Sequence, residues 1–235
     1  MSRLKRFHHK PALAIFSRGP LPGRAKTRLV PALGARGAAA LQSAFISDTV
    51  RKARELSSQA DCFLFLTDRS YLLPLPPEFH RLLQQGRDLG ARLSRAFERL
   101  LANHRFAVII GTDSPELSPL LLLRAMHELE SSDAVLGPCP DGGFYLIGLR
   151  RAPRARRKGL FHSVRWGTSR AFRDMARNLS ESGLITAVLE PLPDVDRPAD
   201  FMLLRKKLKR HLALRRLAPA TWRLISGKQK AESPS

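Results

Sequence analysis

Residues 12–29 read ALAIFSRGPLPGRAKTRL, an apolar run followed directly by a turn rich in glycine, proline and positive charge. The run predicts a short buried β-strand. Glycine and proline favour a tight turn with outward-facing backbone N–H groups, and guanidinium groups match the geometry of phosphate oxygens. The stretch therefore indicates either a polyphosphate-binding turn after a first strand or a solvated basic loop, and both interpretations stay open. The cations of this turn are Arg18, Arg24, Lys26 and Arg28, and its second glycine is Gly23.

The composition indicates one domain without a membrane span. At 235 residues and 43% hydrophobic content, the chain is long and apolar enough to form a substantial core. Cys62 and Cys139 lie far apart, in or beside apolar runs, which predicts buried free thiols. No apolar run reaches the ~18 residues of a transmembrane helix, and too few apolar residues follow the basic N-terminus for a secretion signal. By elimination, we expect a cytoplasmic protein.

The formal net charge of +21 is concentrated in three short segments. Residues 1–10, 150–158 and 205–230 contain no acidic residue and together hold 20 of the 41 lysines and arginines. The other 21 cations face 20 acids, so the body of the chain is nearly neutral. Clustering of this kind argues against a nucleic-acid-binding domain, and we expect no specific nucleic-acid partner.

Apolar runs alternate with amphipathic segments, which predicts a three-layer α/β/α sandwich with a mostly parallel sheet. Ser118 is expected to cap one helix, and Thr168 or Ser169 another. We expect one domain over residues 11–204 and a basic C-terminal helix and tail over 205–235, frayed from residue 228. Predicted strands cover 12–16, 61–66, 79–83, 106–111, 133–138, 144–149 and 185–189, and predicted helices cover 34–58, 91–103, 119–129, 168–182 and 199–217.

Three acidic segments follow predicted strands, on the side where ligands bind in open α/β sheets. They are Asp113, Asp141-Gly142-Gly143 and Asp194-Val195-Asp196. Taken singly, each has a structural explanation, because Asp113 and Asp196 could cap helices and the Asp-Gly-Gly turn could close a hairpin. Taken together, carboxylates opposite a cationic turn suit a Mg²⁺–nucleotide site.

Several motifs in a fixed order carry a resemblance to a known family. They are residues 16–31 (FSRGPLPGRAKTRLVP), 88–92 (DLGAR), 111–115 (GTDSP), 137–149 (GPCPDGGFYLIGL), 166–168 (WGT) and 194–198 (DVDRP). Over residues 11–204 the chain resembles the glycosyltransferase-like radical-SAM/selenodomain-associated transferases, within the nucleotide-diphospho-sugar transferase (GT-A-like) superfamily. The resemblance implies a Rossmann-like sheet that binds a nucleoside di- or triphosphate with a divalent metal, Mg²⁺ or Mn²⁺.

The resemblance also implies roles for individual residues. Asp113 takes the position of the superfamily's metal-binding aspartate and, together with Lys26, is implied to be catalytic. Asp196 takes that of a second metal ligand, with Asp194 as the alternative. Arg18 stands where the family usually has lysine and keeps the charge, whereas Arg197 could pair with Asp196 and put that ligand in question. The implied nucleotide- and substrate-binding residues are Arg18, Gly23, Arg24, Lys26, Arg28, Gly90, Asp141, Gly142, Gly143 and Trp166.

Three functions stay open on the sequence. The first is a transferase that moves a sugar from a nucleotide-sugar to an acceptor. The second is a guanylyltransferase-like enzyme that joins a nucleoside triphosphate to a phosphorylated acceptor. The third is a non-catalytic protein that binds polyanions or a membrane surface. Leucines at near-helical spacing among cations in residues 201–217 predict a helix that either docks on the core or lies on an anionic membrane, where a lipid-linked acceptor would be found.

Overall fold

The computed structural model describes residues 10–68, 74–152 and 157–232. Most of the basic segment 1–10, residues 153–156 of the basic segment 150–158, and the last three residues of the predicted tail therefore lie outside the described residues. The strands found within these ranges are β1 (Ala12–Ser17), β2 (Asp61–Leu66), β3 (Phe79–Leu83), β4 (Phe106–Ile110), β5 (Ala134–Pro138), β6 (Phe144–Arg150) and β7 (Thr186–Val188).

The strands form one sheet in the order β3-β2-β1-β4-β6-β5-β7. β6 runs antiparallel to its neighbours β4 and β5, and the other neighbouring pairs are parallel. β3 lies at one edge, as its short and partly polar sequence predicts. The expected mostly parallel α/β sheet is confirmed.

Helices cover both faces of the sheet. α1 (Val30–Arg54) and α3 (Pro119–Ser131) pack on the face to which Leu13 and Ile15 point. α2 (Leu89–Leu101) and α4 (Ala171–Glu181) pack on the opposite face, against Ala14 and Phe16. Both faces of β1 are therefore buried, because alternate side chains of a strand point to opposite faces.

Parallel pairing aligns the carboxyl ends of the central strands. Ser17 of β1 lies opposite Leu66 of β2, and Ile15 lies opposite Ile110 of β4. The turn after β1 and the loop after β4 consequently leave the sheet side by side, which places the cationic turn next to Asp113.

The two predicted helix caps have different outcomes. The Ser118 hydroxyl accepts a hydrogen bond from the Leu121 N–H at 3.2 Å, so the cap of α3 is confirmed. The prediction that Thr168 or Ser169 caps α4 is wrong, because the N-cap residue is Arg170 and its side chain makes no capping hydrogen bond. The Thr168 hydroxyl instead donates to the Arg165 carbonyl at 2.7 Å and accepts from the Arg170 N–H at 3.2 Å, which forms a turn before the helix.

The C-terminal region contains three helices where the sequence predicts one helix over 199–217 and a frayed tail. They are α5 (Pro198–Arg210), α6 (Leu212–Leu217) and α7 (Pro219–Glu232). The predicted helix breaks at His211, which has extended backbone (φ −113°, ψ 107°). The domain boundary expected after residue 204 falls inside α5, and the tail expected from residue 228 is helical to Glu232.

A buried aspartate explains why α7 forms. Asp48 of α1 is 3% exposed, and its carboxylate accepts hydrogen bonds from the Ala220 N–H at 2.8 Å, the Thr221 N–H at 2.9 Å and the Thr221 hydroxyl at 2.7 Å. The N–H groups in the first turn of a helix have no partner within that helix, and the positive end of its dipole favours an anion. The Asp48 carboxylate supplies both the hydrogen-bond acceptor and the negative charge, so α1 anchors α7.

By length and composition, Thr27–Arg54 qualifies as a candidate membrane span among the described residues, with a mean hydropathy of 1.2. Its alanines raise the mean hydropathy, but polar residues interrupt the apolar run. A criterion based on the length of apolar runs therefore does not identify this segment. Gly34 interrupts the helix with φ 68° and ψ 163°. Phe45 packs against α5, α6 and α7, and Ile46 packs against the sheet, which accounts for the apolar composition as that of a core helix.

We predict that Asp48→Ala lowers the free energy of unfolding by about 3 kcal/mol or more, because it leaves buried N–H donors without an acceptor. Urea denaturation followed by circular dichroism measures the change. Glu55→Ala, at the C-cap of the same helix, is the matched control, since it removes an exposed pair with Arg51 and should change stability by about 0.5 kcal/mol or less. Equal losses in the two variants would contradict the anchoring role of Asp48.

Candidate active site

A cleft of about 650 Å³ opens beyond the carboxyl ends of β1, β2 and β4. It lies where open α/β sheets bind ligands. Five of the residues that the resemblance implicates line its wall, and they come from three distant parts of the chain. They are Arg18, Lys26, Arg28, Asp113 and Asp196.

Lys26 is the most constrained of these residues. Its backbone is left-handed (φ 47°, ψ 46°), which is unfavourable for any residue with a Cβ. The side chain is 3% exposed, and its ammonium lies 2.9 Å from Asp113 Oδ1 and 2.7 Å from the Val195 carbonyl oxygen. It also lies 5.5 Å from the centroid of the Phe45 ring. These contacts hold the strained turn in place, because a buried ammonium needs acceptors.

The loop after β4, residues 111–117, is held from several directions. The Asp113 carbonyl accepts from the Val195 N–H at 2.8 Å. Lys52 of α1 donates to the Pro115 carbonyl at 2.7 Å, and Lys207 of α5 lies 2.6 Å from Glu116. Burial lowers the pKa of Lys52 to about 8. Asp113 is thus carried on a loop that α1, α5 and the segment before α5 all fix.

Two glutamines tie the strand ends together. The Gln42 side chain donates to the Ser17 hydroxyl at 2.9 Å and to the Thr112 hydroxyl at 3.0 Å, which joins β1 to the loop after β4. Gln84 donates to the Ser17 and Phe65 carbonyls, both at 3.1 Å, which joins β1 to β2. Sequence reasoning missed both residues. The available signal was Gln42, a polar residue within the apolar alanine-rich run of α1.

Asp196 is paired with Arg28 in the cleft wall. Arg197, which the sequence suggests as its partner, is instead the N-cap residue of α5, and its backbone N–H donates to the Asp200 carboxylate at 2.7 Å. The cationic turn therefore neutralises Asp196. A cation held by Asp196 would have to share this carboxylate with the Arg28 guanidinium.

Asp194 lies in a different environment, among other acidic groups. Ligand atoms of Cys139, Asp141 and Asp194 lie within 4.8 Å of one another. Burial, followed by the charges of Asp141 and Asp113, raises the pKa of Asp194 to about 6. Burial also raises the pKa of the Cys139 thiol, so this thiol stays protonated near neutral pH. Cys62 and Cys139 are both free and buried, which confirms the prediction for the cysteines.

The turn at Asp141-Gly142-Gly143 is shaped by its glycines. Gly142 has φ 88°, and a Cβ there would collide with the backbone of Ser169. The Gly143 N–H donates to the Asp141 carboxylate at 2.8 Å, and the Gly142 carbonyl accepts from the Phe172 N–H at 2.9 Å. This turn therefore rests on the start of α4 and places Asp141 beside Asp194.

The remaining implicated residues lie at the border of the cleft or outside its wall. A second cavity, of about 630 Å³, is lined by Gly90 and Trp166 and shares Arg87 and Asp88 with the cleft. A Cβ on Gly90 would lie 3.0 Å from the Trp166 ring nitrogen, so Gly90 permits this packing. Gly23 and Arg24 are exposed and do not line the cleft. Arg87, just before the DLGAR motif, and Arg92, its last residue, also line the cleft. Neither was identified from the sequence as a binding residue.

Residues 35–168 match the family described as uncharacterized protein conserved in bacteria (DUF2064). The chain belongs to the DUF2064 family. No curated protein matches the sequence of this DUF2064 member. Its fold is similar to that of solved nucleotide-dependent enzymes, which confirms the expected fold class.

Three solved structures illustrate the similarity. A candidate nucleotide-diphospho-sugar transferase from Desulfovibrio desulfuricans G20 is 28% identical with a TM-score of 0.81, over 94% of this chain and 95% of that one. The 2-C-methyl-D-erythritol 4-phosphate cytidylyltransferase from Thermus thermophilus is 17% identical with a TM-score of 0.52, over 83% and 96%. A CMP:2-keto-3-deoxy-manno-octonic acid synthetase complexed with CTP is 13% identical with a TM-score of 0.54, over 86% and 100%.

The acidic groups of this DUF2064 protein fit a hard divalent cation. Mg²⁺ and similar ions take oxygen ligands from one or two carboxylates and keep water and phosphate oxygens as further ligands. Burial, and after it the charges of Asp141 and Asp113, raise the pKa of Asp194, and a cation bound beside these carboxylates would offset both costs of charging it. Asp194, the alternative ligand that the resemblance implies, has Asp141, Asp113 and Lys26 as charged neighbours, whereas Asp196 is ion-paired with Arg28.

We predict that Asp194→Asn raises the melting temperature by about 2 to 4 °C near pH 7.5, because the wild-type carboxylate is charged there at a cost. A carboxyl group whose pKa is raised by folding destabilises the folded state at high pH. For Asp194 this loss of stability builds up between pH 3.8, its ordinary pKa, and about 6, its pKa in the folded protein. The difference should therefore shrink as the pH falls below about 6 and become small near pH 3.8, where the aspartate of the unfolded chain also takes up its proton. Differential scanning calorimetry at the two pH values measures it.

Added Mg²⁺ should reduce the difference in melting temperature between Asp194→Asn and the wild type at the higher pH, since the ion stabilises only the wild type, whose Asp194 is charged. Glu130→Gln, an exposed carboxylate on α3, is the control and should show no such pH dependence. A melting temperature of Asp194→Asn below that of the wild type at the higher pH would contradict the repulsion.

Proposed function

We propose that the chain is a divalent-metal-dependent transferase that takes a sugar from a nucleotide-sugar in the cleft and passes it to an acceptor. The contact between Lys26 and Asp113 carries the proposal, because it brings the cationic turn and the carboxylates to one place. The structure from Desulfovibrio desulfuricans, 28% identical and described as a candidate nucleotide-diphospho-sugar transferase, supports it. The narrower radical-SAM/selenodomain-associated family and a cytoplasmic location belong to the same proposal.

The residues of the cleft would share the work as follows. Arg18 and Arg28 are exposed enough to reach a diphosphate, and Lys26 places a third positive charge behind them. These cations would stabilise the negative charge that grows on the departing nucleoside diphosphate. Asp113 and Asp194 would hold the metal ion, which supplies further positive charge at the phosphates when bound.

The second cavity would take the acceptor. It adjoins the cleft at Arg87 and Asp88, so a molecule bound there would face the sugar of the donor. Trp166 offers a partly exposed aromatic ring in this cavity, and sugar rings pack well on such surfaces. Asp141 and its glycine turn line neither this cavity nor the cleft.

Transfer of a nucleotidyl group is a second candidate. The cleft is lined by Arg18, Lys26, Arg28, Arg87 and Arg92, enough cations for a triphosphate. The synthetase with CTP bound and the cytidylyltransferase have the same fold. The two candidates use the same residues and differ in the bond that breaks. It is the bond from the sugar C1 to oxygen in the first, and the α–β phosphoanhydride in the second.

The products released decide between the two reactions. We predict that incubation with a panel of nucleotide-sugars, Mg²⁺ or Mn²⁺ and candidate acceptors releases a nucleoside diphosphate, measured by coupled assay. Release of pyrophosphate from nucleoside triphosphates would instead establish nucleotidyl transfer. Asp113→Asn should lower either activity by about a hundredfold or more, because it removes a charge from the metal site. Unchanged activity in that variant would contradict both candidates.

Two arginines of the turn provide a matched pair for substrate binding. We predict that Arg18→Ala weakens nucleotide binding by about tenfold or more, since it removes a charge-assisted hydrogen bond to phosphate. Arg24→Ala removes the same charge from the same turn, but Arg24 is outside the cleft wall, so affinity should change by about twofold or less. Isothermal titration calorimetry with Mg²⁺ and a nucleotide measures both. Equal losses would mean that net charge, and not the cleft, governs binding.

A further inference from the structure

Helices α5 and α6 leave three large apolar side chains exposed. Met202 is 56% exposed, Leu203 is 51% exposed and Leu212 is 58% exposed. The same two helices already pack on α1 through other residues, since Leu204, Leu208 and Leu214 are buried against it. The exposed residues are therefore not needed to attach these helices to the core.

Three cations of α5 lie on the same side of that helix as Met202 and Leu203. Met202, Leu203, Lys206, Lys209 and Arg210 are all exposed, and their spacing places them on one face of the helix. We call these five residues and Leu212 the α5–α6 face. Lys207, at an adjoining position, lies 2.6 Å from Glu116 and so faces the body of the protein.

Positive charge dominates around this face. Residues 205–230 contain ten lysines and arginines and no acidic residue. Acidic groups nearby include Asp200, in the first turn of α5, and Glu116, which is paired with Lys207. Exposed aliphatic side chains between lysines and arginines are typical of helices that lie at the surface of an anionic bilayer. Proteins that bind single-stranded nucleic acid combine their cations with aromatic rings, and the exposed apolar residues of this face are aliphatic.

We propose that the α5–α6 face docks on a bilayer that contains anionic phospholipids. Met202, Leu203 and Leu212 enter the interfacial region, and Lys206, Lys209 and Arg210 contact lipid phosphates. The inference goes beyond the proposed function and does not depend on it. It places the cleft close to the bilayer, because α5 begins at Pro198, two residues after Asp196 in the cleft wall. An acceptor held in the lipid would then be within reach.

Sedimentation with lipid vesicles tests the proposal on the full chain. The wild type should bind vesicles containing phosphatidylglycerol and should not bind vesicles of phosphatidylcholine alone. Lys206→Glu with Arg210→Glu should lower the partition coefficient at least about tenfold, since each cation near an anionic surface contributes several-fold. Met202→Ser with Leu203→Ser should also lower it at least about fivefold, because it removes inserted apolar area while the charge is unchanged.

Matched controls separate the face from general effects. Arg99→Glu with Arg173→Glu makes the same charge change on exposed residues of α2 and α4, and Leu120→Ser with Ile185→Ser removes exposed apolar area elsewhere. Both controls should bind like the wild type. Equal weakening in control and face variants, equal binding to both kinds of vesicle, or no binding would overturn the proposal. Full binding by Met202→Ser with Leu203→Ser, together with displacement of the wild type by RNA, would show a polyanion surface instead and would also overturn it.

Discussion

The ion pair between Lys26 and Asp113 is the contact on which the cleft depends. An ammonium that is almost fully buried is stable only where acceptors surround it, and here they are a carboxylate and the Val195 carbonyl. The pair joins the turn after β1, the loop after β4 and the segment before α5, and it holds a left-handed residue in the turn. The contacts of this one lysine therefore hold together three segments that are distant in sequence.

The sequence was sufficient for the sheet and much of the helical framework. Uninterrupted apolar runs such as Phe106–Ile110 have few structural alternatives, and Ser118 caps a helix through a contact three residues away. α7 was missed because the contacts that hold it, above all the hydrogen bonds of its first turn to Asp48, are made to a helix some 170 positions earlier. Local sequence patterns predict contacts between residues that are close in the chain. A segment that is stabilised by a distant residue cannot be recognised from its own sequence.

The candidate site shows the same division between local and tertiary information. Motifs located the residues that form the cleft, among them Arg18, Lys26 and Asp113. They could not settle how acids and bases are paired, because Asp194 and Asp196 are two residues apart, yet only Asp196 is ion-paired with Arg28, while Asp194 is partly buried near Asp141 and Asp113. The direction in which each side chain points is set by the turn into α5. Gln42 stands out as a polar residue in an apolar run, but its role and that of Gln84 could not be predicted, because joining strand ends requires knowing which strands are neighbours.

The bond from Lys26 to the Val195 carbonyl spans 169 positions of the chain. During synthesis, the nascent polypeptide therefore emerges from the ribosome with β1 and its turn long before the acceptor of that lysine exists. Contacts of such sequence separation are slow to form, because the entropy of closing the loop must be overcome first. Because β1 and β4 both precede Val195 in the chain, their parallel pairing can form before that acceptor is present, whereas the cleft is completed only when the segment before α5 docks.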